Sequence, residues 1–236
     1  MQAAELDAIP PGVELARVLV ELDPALLDPA AQLSYIAACE RNLGWQRALQ
    51  DNAIVAFAGA NPRNTVYWVN GDEDAIVDAR RSDLVAELNW SEGQAHRRIS
   101  EARALHSDLP STRDAAFRGL LSPAHITAMA QGATQLTALI DEAVAEARAT
   151  NAPAHVLDDL RTGRATLLAR FESRVVPYAC DQGVARCRQQ IRRALASIDP
   201  AGWAARRLRA KREQSDVHLD HMPNGLSMIT AILPSE

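Results

Sequence analysis

Cysteine is scarce in this chain: Cys39, Cys180 and Cys187 are the only three among 236 residues. So sparse and odd a set makes neither a disulfide framework nor a metal-ligand spacing, and a reducing compartment is the expectation. Lysine is scarcer still, since Lys211 is the only one and arginine supplies every other basic side chain. Codon usage in a GC-rich genome accounts for that bias, which also leaves the chain with cations suited to bidentate carboxylate and phosphate contacts. Aromatic residues make up 4%, so Leu, Ala, Val and Ile have to fill the core. No run approaches the ~18 apolar residues of a membrane span. The opening MQAAELDAIPPG lacks both the positive and the apolar region of a signal peptide. A cytoplasmic protein is expected. There is no Gly-rich phosphate loop, no nucleophile elbow and no His paired four residues from another His or Cys. No catalytic centre, metal site or cofactor is therefore expected in this chain.

What is abundant is Ala and Leu with few β-branched runs, a composition that favours helix. A short helix over 11–22 carries Val13, Leu15, Ala16, Leu19 and Leu22 on one face. Asp28 before Pro29 is an N-cap followed by a first-turn proline, and helical spacing of Leu33, Ile36, Ala37, Leu43, Ala48 and Ile54 continues to about Ala58. After a loop over 61–72 with Tyr67 and Trp68, the pattern predicts helices over about 74–88 and from the Ser91 cap to Ser107. Pro110 starts a short helix to Leu120, and Ser122-Pro123 opens another. Segments 137–150 and 154–180, split at Asn151-Ala152-Pro153, and then 183–198 and 200–213 complete the helical part. The last stretch, VHLDHMPNGLSMITAIL, has two β-prone runs about Asn224-Gly225, a strong hairpin signal. A lone hairpin is marginal in water, so it should pack on helices or extend into a sheet. The expected fold is mainly α: one domain over 1–236, with a lead-in helix in about 1–28, a bundle of long antiparallel helices over 29–213, and a small hairpin over 214–236.

Charge is distributed unevenly. Residues 1–160 carry 12 basic and 23 acidic groups, whereas residues 161–212 carry 13 basic and 3 acidic. Two readings stand. The basic block could face phosphates, whose neutralisation supplies most non-specific nucleic-acid affinity. It could equally pair with the acidic half inside the fold or across a homo-oligomer. Its densest part is WAARRLRAKRE, where five cations crowd neighbouring turns and repel. Phosphate contact would fall to Arg186, Arg188, Arg192, Arg193, Arg206, Arg207, Arg209, Lys211 and Arg212.

Two shorter motifs point toward DNA chemistry. DLVAELNWSEGQAHRRISEARAL resembles a helix-turn-helix, with Ser91 capping a second helix whose Gln94, Arg97 and Arg98, with His96 beside them, would face the major groove. It departs in having Asn89 where Gly is usual, and Ile99 one place off the common register. Any αα-hairpin in a bundle has the same outline. HLDHMPNG is similar to the DHxxP core of HNH nucleases, yet no His follows His221 and no Cys pairs flank it. A hairpin turning at Pro223-Asn224-Gly225 is the expectation there.

Taken in order, DLVAELNWSEGQAHRRISEARAL, LPSTRDAAFRGLLSPAHITAMA, ESRVVPYA and RCRQQIRRALASIDPAGWAARRLRAKREQSDVHLDHMPNGLSMITAILPSE resemble the domain of unknown function 222 family, common in actinobacteria. The resemblance covers about residue 30 to the end. It implies an N-terminal domain that usually precedes an HNH endonuclease domain, with a DNA-binding or positioning role and no activity of its own. The nuclease residues of the family lie beyond Glu236, so none carries over.

Overall fold

The computed structural model describes residues 3–60, 73–213, 216–221 and 225–232, with backbone alone at 3–5, 73–79, 206–207, 210–213, 216–218, 230 and 232. Expectations for the 61–72 loop and for the Pro223-Asn224 turn lie outside the described residues. The described helices are α1 (Ala3–Ala8), α2 (Val13–Glu21), α3 (Pro29–Ala58), α4 (Glu73–Leu88), α5 (Glu92–Ser107), α6 (Pro110–Phe117), α7 (Pro123–Ala149), α8 (Ala154–Asp181), α9 (Val184–Ile198) and α10 (Pro200–Glu213). An antiparallel hairpin follows, β1 (Asp216–His221) with β2 (Ser227–Ile232), in which Leu219 faces Ile229. The mainly α class is as expected.

Helix ends follow local chemistry. The Asp28 carboxylate accepts from the Ala31 N–H at 2.9 Å, ahead of Pro29. The Ser91 hydroxyl accepts from Gln94 N–H at 3.2 Å. Asn89 (φ 51°) and Asn151 (φ 50°) take the left-handed conformation that turns the chain into α5 and out of α7. Segments 123–136 and 137–150 form one continuous helix, because nothing between them interrupts the backbone ladder. The short α1 was not expected; six residues are too few to show a period, and it is held by Leu6, which is 1% exposed.

Three apolar clusters organise the packing. The largest joins Leu105, Leu109, Ile126, Met129, Leu136, Phe171, Val175, Ile191 and Leu195 from α5–α9 and their linkers. A second holds Ile54, Val55, Ile99 and Ala102 between α3 and α5, and a third holds Leu6, Leu15, Leu19 and Ala38 near the N-terminus. Ala48 and Ile54 of α3 are buried as expected, but Leu33, Ile36 and Leu43 are 68%, 59% and 46% exposed. Small residues take their place inside. Gly44 is packed so closely on the Leu121 carbonyl that a Cβ there would collide with backbone oxygen. On α7, a Cβ at Gly132 would sit 2.8 Å from Ile191 and 2.9 Å from Phe171. Gly44→Ala should therefore cost about 1–3 kcal/mol through overpacking. The check is urea unfolding, and a midpoint equal to the parent's would refute the close approach.

Beyond its own two strands the described sheet has no further member. The hairpin exposes Leu219, Leu226, Met228 and Ile229. Among the described residues no helix is long and apolar enough to cross a membrane.

Candidate nucleic-acid interface

Helix α9 is strongly amphipathic. Cys187, Ile191, Ala194 and Leu195 recur at helical spacing and are buried against α7 and α8. The same spacing turns Arg186, Arg188, Arg192 and Arg193 outward, and all four are exposed. Arg186 donates to the side-chain oxygen of Gln182 at 2.8 Å, a neutral partner. No carboxylate among the described residues lies on any of the four. On α8, Arg170 and Arg174 flank the buried Phe171 and Val175 and are also exposed, and Arg174 donates to Ser197 of α9 at 2.5 Å. Ser197 lies one turn beyond Arg193 on the same side of α9. From 165 to 198 the chain has six arginines and two carboxylates, and one of those, Glu172, is buried. Asp181 is left as the exposed acid of the stretch. Arg170 and Arg174 were missed from sequence; their flanking of apolar residues four apart was the available signal.

The rest of the basic block divides. Arg164 donates to both carboxylate oxygens of Asp108, at 2.5 and 2.8 Å, and to Asp141 at 2.7 Å, which holds its guanidinium more firmly protonated than usual. Arg209 binds Glu142 of α7 at 2.6 and 3.2 Å, and Arg161 meets Asp158 at 3.0 Å. These members pair with carboxylates; the α9 members do not. The side chains of Arg206, Arg207, Lys211 and Arg212 lie outside the described residues.

On α5 the candidates separate by face. Arg97 is exposed and Gln94 half-buried. Arg98 has to be withdrawn from the set. It is 8% exposed, and its Nη2 lies 2.7 Å from the Gln50 oxygen and 3.1 Å from Asp51. One residue turns a helix by about 100°, and here that step leads from Arg97 at the surface to Arg98 against α3. The outer side of α5 is also one wall of a groove, with His96, Arg97 and Ser100 opposite Gln131, Thr134 and Gln135 of α7. At the start of α5, Glu92 is exposed and paired with Arg81 of α4 at 2.7 Å.

Arg98 belongs to a buried charge cluster. Arg47 donates to Asp51 at 2.9 Å and to Glu101 at 2.6 Å, tying α3 to α5. Thr127 of α7 adds its hydroxyl to Glu101 at 3.3 Å. Burial pushes the Asp51 carboxyl up to about 6, with Arg47 pulling against it and Glu101 adding to it. Arg98 Nη1 is buried without a hydrogen-bond partner.

Other reactive groups are accounted for structurally. His125 Nε2 lies 2.9 Å from the Gln182 carbonyl, which only accepts, so Nε2 carries the proton and Nδ1 accepts from the Ser122 hydroxyl at 2.9 Å. That pair pins the start of α7 to the α8–α9 turn. Burial raises the thiols of Cys39, Cys180 and Cys187, so they stay protonated at neutral pH. Strand alternation sets Asp220 and His221 on opposite faces of β1, and His221 Nδ1 lies 3.0 Å from Ser227 Oγ, so these two do not converge on one metal ion; the side chain of His218 lies outside the described residues. No family model, curated protein or solved structure matches the chain.

Proposed function

We propose that this chain is an accessory domain that lies on the phosphate backbone of duplex DNA, within a protein whose chemistry is supplied by an HNH-type nuclease domain. The observation that carries the reading is the face of α9, where Arg186, Arg188, Arg192 and Arg193 stand exposed without a carboxylate partner among the described residues. Arg170 and Arg174 extend it. Guanidinium groups in this number suit phosphate oxygens, and contact with phosphates positions a domain without reading sequence. The nuclease partnership rests on the resemblance to the domain of unknown function 222 family alone. Arg97 and Gln94 are secondary to α9 here, because with Arg98 buried Arg97 is left beside a half-buried Gln94.

Fluorescence anisotropy with labelled duplex DNA across a salt series tests this. Micromolar or weaker binding is expected near physiological salt, in the range of ~10⁻⁴–10⁻⁶ M typical of non-specific contacts. Replacing the four α9 arginines with alanine should flatten the salt slope by about 3–4, since each phosphate contact contributes roughly 0.9. Absence of binding at low salt, or an unchanged slope in the variant, would overturn the reading.

A second reading is an assembly module without enzymatic chemistry. It is favoured by the exposed Leu33, Ile36 and Leu43 of α3, and by the exposed Val13 and Val20 of α2. A dimer that persists at high salt in sedimentation, and does not bind DNA, would select it.

A further inference from the structure

A groove follows α5, α7 and α8, formed by residues other than those of the α9 face. Its widest part is a cleft of about 660 Å³, joined through Ser107, Asp108, Arg161 and Arg164 to a second of about 390 Å³. Four arginines line the wide part, Arg103, Arg148, Arg161 and Arg164, against two carboxylates, Asp108 and Asp141. Both carboxylates are engaged by Arg164, one cation against two anions, so the wide part carries two positive charges in excess. Three guanidiniums lie outside that fork. Arg103 donates to the carbonyls of Ala58 and Gly59 at 2.7 and 2.8 Å, which positions it and leaves its charge without a carboxylate. Arg148, in the last turn of α7, has no hydrogen bond or ion pair among the described residues. Arg161 has only the surface contact with Asp158, both partners more than half exposed, and such pairs are weak.

We infer that this groove binds a short chain of linked phosphates. Its arginines come from three helices, with Arg103 on α5, Arg148 at the end of α7 and Arg161 on α8, so they surround the cleft rather than mark one point. Ser100 and Ser107 line the same cleft with hydroxyl donors, whereas the Thr134 hydroxyl donates to the Ala130 carbonyl at 3.1 Å. The volume lies within the usual range for small-molecule sites, ~300–1,000 Å³, which is larger than one phosphate needs. The lining has no aromatic side chain on which a base could stack. The charge and donor pattern thus selects the phosphate portion of a nucleoside di- or triphosphate, or a free polyphosphate.

Titration calorimetry of the full chain with inorganic tripolyphosphate tests the inference, with orthophosphate and ATP as parallel arms. The variants are Arg148→Ala with Arg161→Ala, and separately the fourfold α9 substitution. Saturable tripolyphosphate binding is expected in the parent and in the α9 variant, with an affinity at least ~10-fold lower in the groove variant, as loss of charge-assisted bonds requires. ATP binding equal to tripolyphosphate supports recognition by phosphates alone; tighter ATP binding supports the same site with the nucleoside also held. Orthophosphate binding as tightly as tripolyphosphate would overturn the preference for linked phosphates. Binding lost in the α9 variant but kept in the groove variant would overturn the site, as would no saturable binding at millimolar tripolyphosphate. DNA binding by the parent is read separately, so failure here leaves the α9 proposal standing.

Discussion

Glu172→Ala is expected to lower stability by about 2–4 kcal/mol, because it leaves the two buried Thr112 donors unpaired at about 1–3 kcal/mol each. The carboxylate of Glu172 is 4% exposed on α8, and it serves α6 as that helix's cap. It accepts from the backbone N–H groups of Ser111 at 3.3 Å and Thr112 at 2.7 Å, and from the Thr112 hydroxyl at 2.8 Å. Leu109, at the N-cap position of α6, has no side-chain acceptor to offer those donors. Truncation would strand the Thr112 N–H and hydroxyl in a place where the residue is 0% exposed. The helix N-terminus also favours a negative charge there. Glu172→Gln should fall between parent and alanine variant, because one amide oxygen can still serve Thr112 while the amide nitrogen faces the Ser111 N–H. Urea unfolding of all three proteins gives the comparison. An alanine variant within about 1 kcal/mol of the parent, the size of an ordinary solvent-exposed hydrogen bond, would show that the cap is dispensable.

The Glu172 cap also marks where sequence reading stops. Its partner Thr112 is sixty residues away, and no local pattern relates the two. Helix starts were legible because their causes are local: Asp28 before Pro29, Ser91 before α5, Pro110 and Pro123 at first turns. The inward side of α3 was not legible, because that helix meets α1 and α2 along its first half and α5, α6 and α7 further on. Its buried side rotates with its partners, so no single stripe describes all 30 residues. Leu33 and Ile36 consequently face outward while Asn42 and Asp51 face inward. On α5, where Arg97 and Arg98 are adjacent, only the position of α3 decides which is buried. The charge sums had the same defect. A basic and an acidic half of similar size do not reveal that Arg164 and Arg209 pair with carboxylates while the α9 arginines do not. By contrast the α9 face could be read, since Cys187, Ile191, Ala194 and Leu195 bury against one contiguous core.

Removing Arg47 should destabilise the fold by about 3–5 kcal/mol at neutral pH, the scale for breaking a buried ion cluster, and the loss should shrink as pH falls. Arg47 bridges Asp51 on its own helix and Glu101 on α5, with all three side chains at most 12% exposed. Without it, two buried carboxylates share Arg98, whose Nη1 already lacks a hydrogen-bond partner. The pH dependence follows from Asp51. Burial holds its carboxyl at about 6 against an ordinary 3.8, even with Arg47 pulling downward. The folded state therefore binds a proton that the unfolded chain releases between those two values. Stability attributable to Asp51 falls as pH rises through that window and is lowest above it, by up to about 3 kcal/mol. Arg47→Ala removes the group that pulls Asp51 down and so moves its titration higher. Protonation of Asp51 then relieves the unpaired charge, and the variant approaches the parent in acid. Asp51→Asn should lack this dependence, and its difference from the parent isolates the carboxyl from every other titrating group. Thermal unfolding midpoints of the three proteins from pH 7.5 down to about 4.5, bracketing the folded titration, provide the measurement. A gap between parent and Arg47→Ala that stays constant or widens with acid would mean that Asp51 is already held ionised by Arg98, and that α3 and α5 are joined by a cluster insensitive to pH.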